Sequence, residues 1–380
     1  MQKKSKDINV ELLRVIACLL VIGVHLLPGY VAGDHVMKAR MFMACICSDS
    51  VIYFWFIMGF FLFRNKPFKQ VVTSAIKTVV IPAAVFVVAT EILNDWITGN
   101  RTFIDCITVM NVDWKPIIKS VLSWNAIGFT NGSHLWYVFS YMIIILWLPI
   151  VRYVCVEERW KTRVYIYIFA QLYLLIQLIQ QAIPQMPTLV PQLLPIELVY
   201  VILGYDIYLL YKKRLFGKKA AILGLVIFFI AELFRMVVQS YMTLKLQNQG
   251  YLMCWNTFPS MFAGVGLTVF ILSIPVDRIK SFVLFISGKT YPIFLLHWVV
   301  IRYHKSAEVF QSIIKITNVD SGGVIESIAY QLLMMLYVFV CSLVLATVIH
   351  ACCSILGFAF SKIINKTNFY KKHIKDTWII

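Results

Sequence analysis

An apolar run long enough to cross a bilayer, with three ionisable groups inside it, limits what this chain can fold into. Residues 9–27 read NVELLRVIACLLVIGVHLL, and about 20 such residues span the hydrocarbon of a membrane as a helix. Glu11, Arg14 and His25 lie within the run. Ionisable groups are costly there and persist where they have a partner or a task. On a helix, the step from Arg14 to His25 covers about 16 Å and three turns, so both side chains fall within roughly 20° of one face. Glu11 precedes Arg14 by three residues and is placed to pair with it. Two readings are open on this stretch alone. One is an anchoring pair at the cytoplasmic boundary, with His25 bonded to a neighbouring helix; the other is a functional face.

Composition settles the class. The 380 residues are 60% hydrophobic and 14% charged, with mean hydropathy +0.79, far from a soluble balance. The apolar runs are continuous, unlike the alternation of a membrane barrel. They give ten candidate helices, near 8–30, 48–64, 71–96, 134–154, 163–182, 193–211, 219–241, 254–273, 283–303 and 329–356. The net charge of +17 would point to nucleic acid in a soluble protein. Here the loops on one side, the termini included, hold 23 Lys and Arg against 9 on the other, which is the positive-inside asymmetry of a cytoplasmic face. The reading is an all-α polytopic membrane protein with about ten transmembrane helices in one bundle, N-in/C-in, and no nucleic-acid partner. Residues 1–380 form a single membrane-embedded domain, with a short cytoplasmic tail at 357–380. Lys3, Lys4 and Lys6 before an apolar run imitate a signal peptide, but Arg14 interrupts the run, so it is read as a retained first span.

The nine cysteines show no metal-binding spacing. Most lie in or beside apolar spans as small hydrophobes; whether Cys45 or Cys47 pairs with Cys106 on the outer side stays open. The outer loops cover 97–133 and 304–328. Loops of this length often carry function, or else cap the bundle.

Three constellations hold chemistry-bearing residues. The first is Glu11, Arg14 and His25. The second is Ser133-His134-Leu135-Trp136-Tyr137, where the chain re-enters from outside. The third runs from Ser287 through Tyr291 to His297. His25 lies about 25 Å and His297 about 21 Å from the cytoplasmic entry of their spans, so both sit in the outer half, near the starting level of His134. Arg14 stays near the inner face. This geometry suits a reaction that draws substrates from opposite sides. Histidine is the side chain most readily used as a base near neutral pH, and arginine grips phosphate with a planar fork. Trp136 and Tyr137 are either a stacking platform for a sugar or acyl-carrier arm, or part of an interfacial aromatic belt.

On these residues the chain resembles the acyltransferase-3 family of integral membrane O-acyltransferases, as a stand-alone member. That family's signature is an acidic residue three before an arginine, then ten residues, then a histidine; Glu11, Arg14 and His25 match it. Tyr53 to Phe61 resembles the family's Phe-Phe-x-x-Ser-Gly-Phe segment, with Met58 in place of the serine. His134-Leu135-Trp136-Tyr137-Val138 and residues 287–297 resemble two further segments. The family often has two arginines before a proline at the start of the third span; here Pro82 is preceded by Lys77 alone. Longer members add an extracellular hydrolase-like domain, which is not expected here.

The resemblance implies transfer of an acyl group, most often acetyl, from cytoplasmic acyl-CoA to a hydroxyl of a cell-envelope polysaccharide or glycolipid. It implies no bound cofactor and a place in the plasma (inner) membrane. Glu11, Arg14 and His25 would be catalytic, with His25 a base or a transient acyl carrier. His134, Trp136, Tyr137, Tyr291, His297 and Lys77 would contact donor or acceptor. Two other readings compete. A transporter or flippase of an envelope precursor also fits ten spans with ionisable groups at depth, with Glu232 and Arg235 either a gating pair or a fixed internal one. It should show inverted-repeat hydropathy, and no such pairing is found. A non-catalytic partner of a glycan-synthesis complex sits poorly with intact Arg14 and His25.

Overall fold

The computed structural model describes residues 6–27, 31–32, 35–62, 66–108, 135–182, 195–245 and 257–364. Apart from one two-residue antiparallel pairing, Val31–Ala32 with His35–Val36, the regular structure of these residues is helical. Short turns of helix aside, the elements are α1 (Ile8–Val24), α2 (Lys38–Ser48), α3 (Ser50–Leu62), α4 (Phe68–Ala75), a π-helical turn (Ile76–Val80), and α5 (Ile81–Ile92). Then come α6 (Trp136–Leu146), α7 (Leu148–Val154), α8 (Trp160–Ala182), α9 (Ile196–Lys212), α10 (Lys218–Lys245) and α11 (Ser260–Ser273). The last are α12 (Lys280–Ser287), α13 (Thr290–Arg302), α14 (Ser306–Thr317) and α15 (Val324–Ile364).

Among the described residues, five helices are long and apolar enough to cross a membrane, and seven if each of two bent pairs counts as one span. The bends are 62° between α6 and α7, and 64° between α12 and α13. The sequence carries a cause for the first: Pro149 has no N–H to continue the ladder. At the second, Gly288 and Lys289 interrupt the run. The stretches read as 8–30, 193–211 and 254–273 fold as shorter helices of 17, 17 and 14 residues. Proline limits each of them: α1 stops before Pro28, while Pro195 and Pro259 stand at the N-caps of α9 and α11.

α1 is the hub. It packs against α2, α3, α11, α12, α13 and α15. Asn9 at its start donates to the carbonyls of Ile271 and Ile274, both at 2.7 Å, closing the end of α11. At its other end the Gln331 amide of α15 donates to the Gly23 carbonyl at 2.9 Å. Two other crossings are set by paired glycines. A Cβ on Gly59 would strike the Val201 carbonyl and one on Gly204 the Phe56 backbone; Gly224 and Gly266 stand against each other in the same way. Small residues let membrane helices approach backbone to backbone.

The Glu232–Arg235 pair is a fixed brace. The Arg235 guanidinium reaches Asp49 at 2.7 Å, Glu232 at 2.9 Å, the Cys45 carbonyl at 3.0 Å and the Ser48 hydroxyl at 2.6 Å, all buried. It caps the break between α2 and α3 with charge-assisted bonds. Cys45, Cys47 and Cys106 are all free thiols, with Cys45 and Cys47 buried within α2, so the Cys106 pairing left open by the sequence is not formed. The stretch 304–328, expected from sequence as an outer loop, folds mainly as α14 and a short turn at Val319–Ser321, and Arg40 donates to the Val319 carbonyl. This ties the loop onto the bundle as a cap.

Candidate active site

α1 and α13 run side by side and carry the site. The Cys18 thiol meets the Thr290 carbonyl at 3.7 Å, which sets the two helices level. Seven residues further on, two turns along each helix, come His25 and His297, and their rings lie 5.3 Å apart. His25 is the C-cap of α1 and meets the Trp298 indole edge-on at 4.9 Å. His297 is fully buried. Its Nδ1 lies 2.6 Å from the Phe294 carbonyl. A carbonyl only accepts, so Nδ1 carries the proton and, in the neutral ring, Nε2 holds the lone pair.

On the same face of α1, Arg14 bonds Glu11 at 2.9 Å, with the Arg14 side chain 25% exposed and that of Glu11 5%. Arg14 lines a cavity of about 600 Å³. The charged groups of its lining are Lys6, Arg14 and Lys66, all cationic. Ser74, Thr78 and Thr290 add hydroxyls, and apolar residues complete the wall. The cavity passes the break between α12 and α13, where Ser287 and Gly288 face it. Irregular backbone at membrane depth is tolerated where it lines such a space. It also passes the π-helical turn, a feature that recurs at functional sites. There the Tyr291 hydroxyl donates to the Val79 carbonyl at 2.6 Å.

The inner end of the cavity is marked by Val21 on α1 and Phe294 on α13. His25 and His297 are the next turn along, outside the lining. The space that holds the cations therefore ends one helical turn short of the imidazole pair.

Tyr137 lines the same cavity and stacks on Trp55 with ring centroids 4.4 Å apart; Phe294 is 5.8 Å away. Trp136 packs partly buried against the core, outside the cavity. Lys77 is exposed and absent from the lining; its neighbours Ser74 and Thr78, four residues apart and also exposed, line the cavity. His134 lies outside the described residues. Three features had no reading from sequence: the cations Lys6 and Lys66 as cavity walls, the Trp55–Tyr137 stack, and Phe294 as an end wall. The segment 287–297 carried the signal for the last, as Phe294 and His297 are three apart.

The fold and this cavity define a multi-pass helical membrane protein with a basic pocket whose lining ends one helical turn from paired histidines. The chain belongs to the acyltransferase-3 family: that family's model, described as an acyltransferase domain, matches residues 7–347. No curated protein and no solved structure matches it.

Proposed function

We propose that this protein moves an acyl group, most often acetyl, from cytoplasmic acyl-CoA to a hydroxyl of a cell-envelope polysaccharide or glycolipid. The observation that carries the reading is the cavity, with cations at one end and the other end one turn from His25 and His297. Arg14 and His25 are about 16 Å apart along α1, close to the reach of an extended pantetheine arm of roughly 16 Å on ordinary bond lengths. Arg14, oriented by Glu11, would hold the pyrophosphate, and Lys6 and Lys66 the outer phosphate. The apolar wall with Tyr137 and Tyr291 would take the arm.

In the chemical step His25 accepts the proton of the acceptor hydroxyl. The oxygen bonds the acyl carbon, the carbon–sulfur bond breaks, and coenzyme A leaves as a thiolate that the imidazolium reprotonates. His297, with its tautomer fixed, orients His25 or the incoming hydroxyl, and His134 and Trp136 would meet the acceptor. The same reading places the protein in the plasma membrane as one domain of ten spans with both termini cytoplasmic, in accord with the loop charges. Acyl-group analysis of envelope glycans from cells with the protein, without it, and with His25→Ala tests the reading. The expected result is an acyl ester present only with the wild type. Transport of an envelope precursor with no acyl product would overturn it.

A further inference from the structure

We propose that Phe294 is the specificity-determining residue of the site: its ring divides the cavity from the histidine pair and limits the acyl group that passes. The size limit rests on the acyl-transfer reading above; the division does not.

Phe294 is buried, forms part of the cavity wall, and has its ring 5.9 Å from that of His297. It stacks on Tyr291 at 6.2 Å and meets Tyr137 at 5.8 Å. It lines the cavity with Val21, one turn before His25. A thioester entering from the Lys6 and Lys66 end leads with its acyl group, so the acyl tip meets this ring before any carbonyl reaches an imidazole. The backbone lets the ring move without disturbing the histidine. The bond to His297 Nδ1 comes from the Phe294 carbonyl, and rotating the side chain about χ1 leaves that carbonyl in place. Past the ring, His25 has His297 at 5.3 Å and Trp298 at 4.9 Å. These packed rings leave less room for a long acyl group than for a small one.

The test uses the full chain in membrane vesicles of each orientation. A cysteine placed at His25 (His25→Cys) reports access by a sulfonate-bearing methanethiosulfonate, with the unsubstituted protein as the blank for native thiols. Phe294→Ala should raise the labelling rate from the Lys6 and Lys66 side about tenfold or more and leave the opposite side unchanged. Phe294→Leu, which keeps an apolar filler, should fall between and guards against misfolding. In proteins that keep His25, the ratio of butyryl to acetyl transfer should rise about tenfold or more in Phe294→Ala, since a single methylene is discriminated about 10- to 200-fold in a tight pocket. Equal labelling rates in the Phe294, Leu and Ala backgrounds would overturn the partition, whether or not the protein transfers acyl groups. Faster labelling with an unchanged butyryl-to-acetyl ratio would overturn the size limit. Faster labelling from a protein with no acyl transfer would leave the partition standing and refute the proposed function.

Discussion

Arg14→Lys separates donor binding from chemistry. Lysine keeps the positive charge, and its ammonium can still meet Glu11, which accepts from Arg14 at 2.9 Å. The substitution removes the planar fork that contacts two phosphate oxygens at once. The Arg14 side chain is 25% exposed, so the space it leaves is filled from the cavity and the helix should stay in place. The loss is one charge-assisted hydrogen bond, about 1.5–3 kcal/mol. At about 1.4 kcal/mol per factor of ten, that is a roughly 10- to 150-fold weaker donor affinity. Arg14 lies two turns from the inner end of the cavity and three from His25, so the reacting atoms should not feel the change. Equilibrium binding of labelled acetyl-CoA to protein in lipid nanodiscs measures the affinity, and transfer at saturating donor measures the turnover. The expected pattern is a raised Kd with kcat within a few fold of wild type. An unchanged Kd with a collapsed kcat would refute the reasoning, because Arg14 would then act at the reacting centre.

Three further outcomes follow from the same geometry. His25→Ala should bind donor normally and lose turnover roughly 100- to 10,000-fold, measured in the same nanodisc assays. Tyr291→Phe removes the 2.6 Å bond to Val79 and should cost about 1 kcal/mol, seen as earlier thermal unfolding in detergent, with a raised KM for donor as the cavity wall loosens. Arg235→Met leaves Asp49 and Glu232 buried without their cation and should cost about 3–5 kcal/mol; the check is the yield of monodisperse protein, and a normal yield would show that the network does not brace the α2–α3 break.

Much of this arrangement was legible because helical periodicity acts within one element. The eleven-residue step from Arg14 to His25 put both on one face of α1, and the structure has Arg14 in the cavity wall and His25 a turn beyond its end. Proline signals were also present: Pro149 marks the α6–α7 bend, and Pro195 and Pro259 mark late helix starts. What was not legible comes from pairs distant in sequence. Asp49 and Arg235 are 186 residues apart, and Tyr291 and Val79 are 212 apart; no period links them. The cavity wall is likewise assembled from α1, α3, the π-helical turn, α6 and the α12–α13 break. Lys77 looked like the donor-side cation because it is the charge nearest Pro82. In the structure Lys77 does not line the cavity, whereas Ser74 and Thr78 of the same stretch do.

The chain contains the Glu-x-x-Arg spacing twice, and the two copies sit in opposite surroundings. Glu11 and Arg14, like Glu232 and Arg235, are three residues apart on a helix and form an ion pair at 2.9 Å. Around Arg235 the neighbours supply a second carboxylate, a backbone carbonyl and a hydroxyl, so both terminal nitrogens of the guanidinium are bonded and the side chain is fully buried. Such a group holds two helices together and has little capacity to recruit a ligand. Around Arg14 the neighbours supply Glu11 and an open cavity whose other charges, Lys6 and Lys66, are positive. One carboxylate against three cations leaves the cavity with unbalanced positive charge, and an anion is what restores the balance. The difference between a buried brace and a cation beside a cavity is thus set by the surrounding elements, and the i,i+3 spacing itself carries neither meaning.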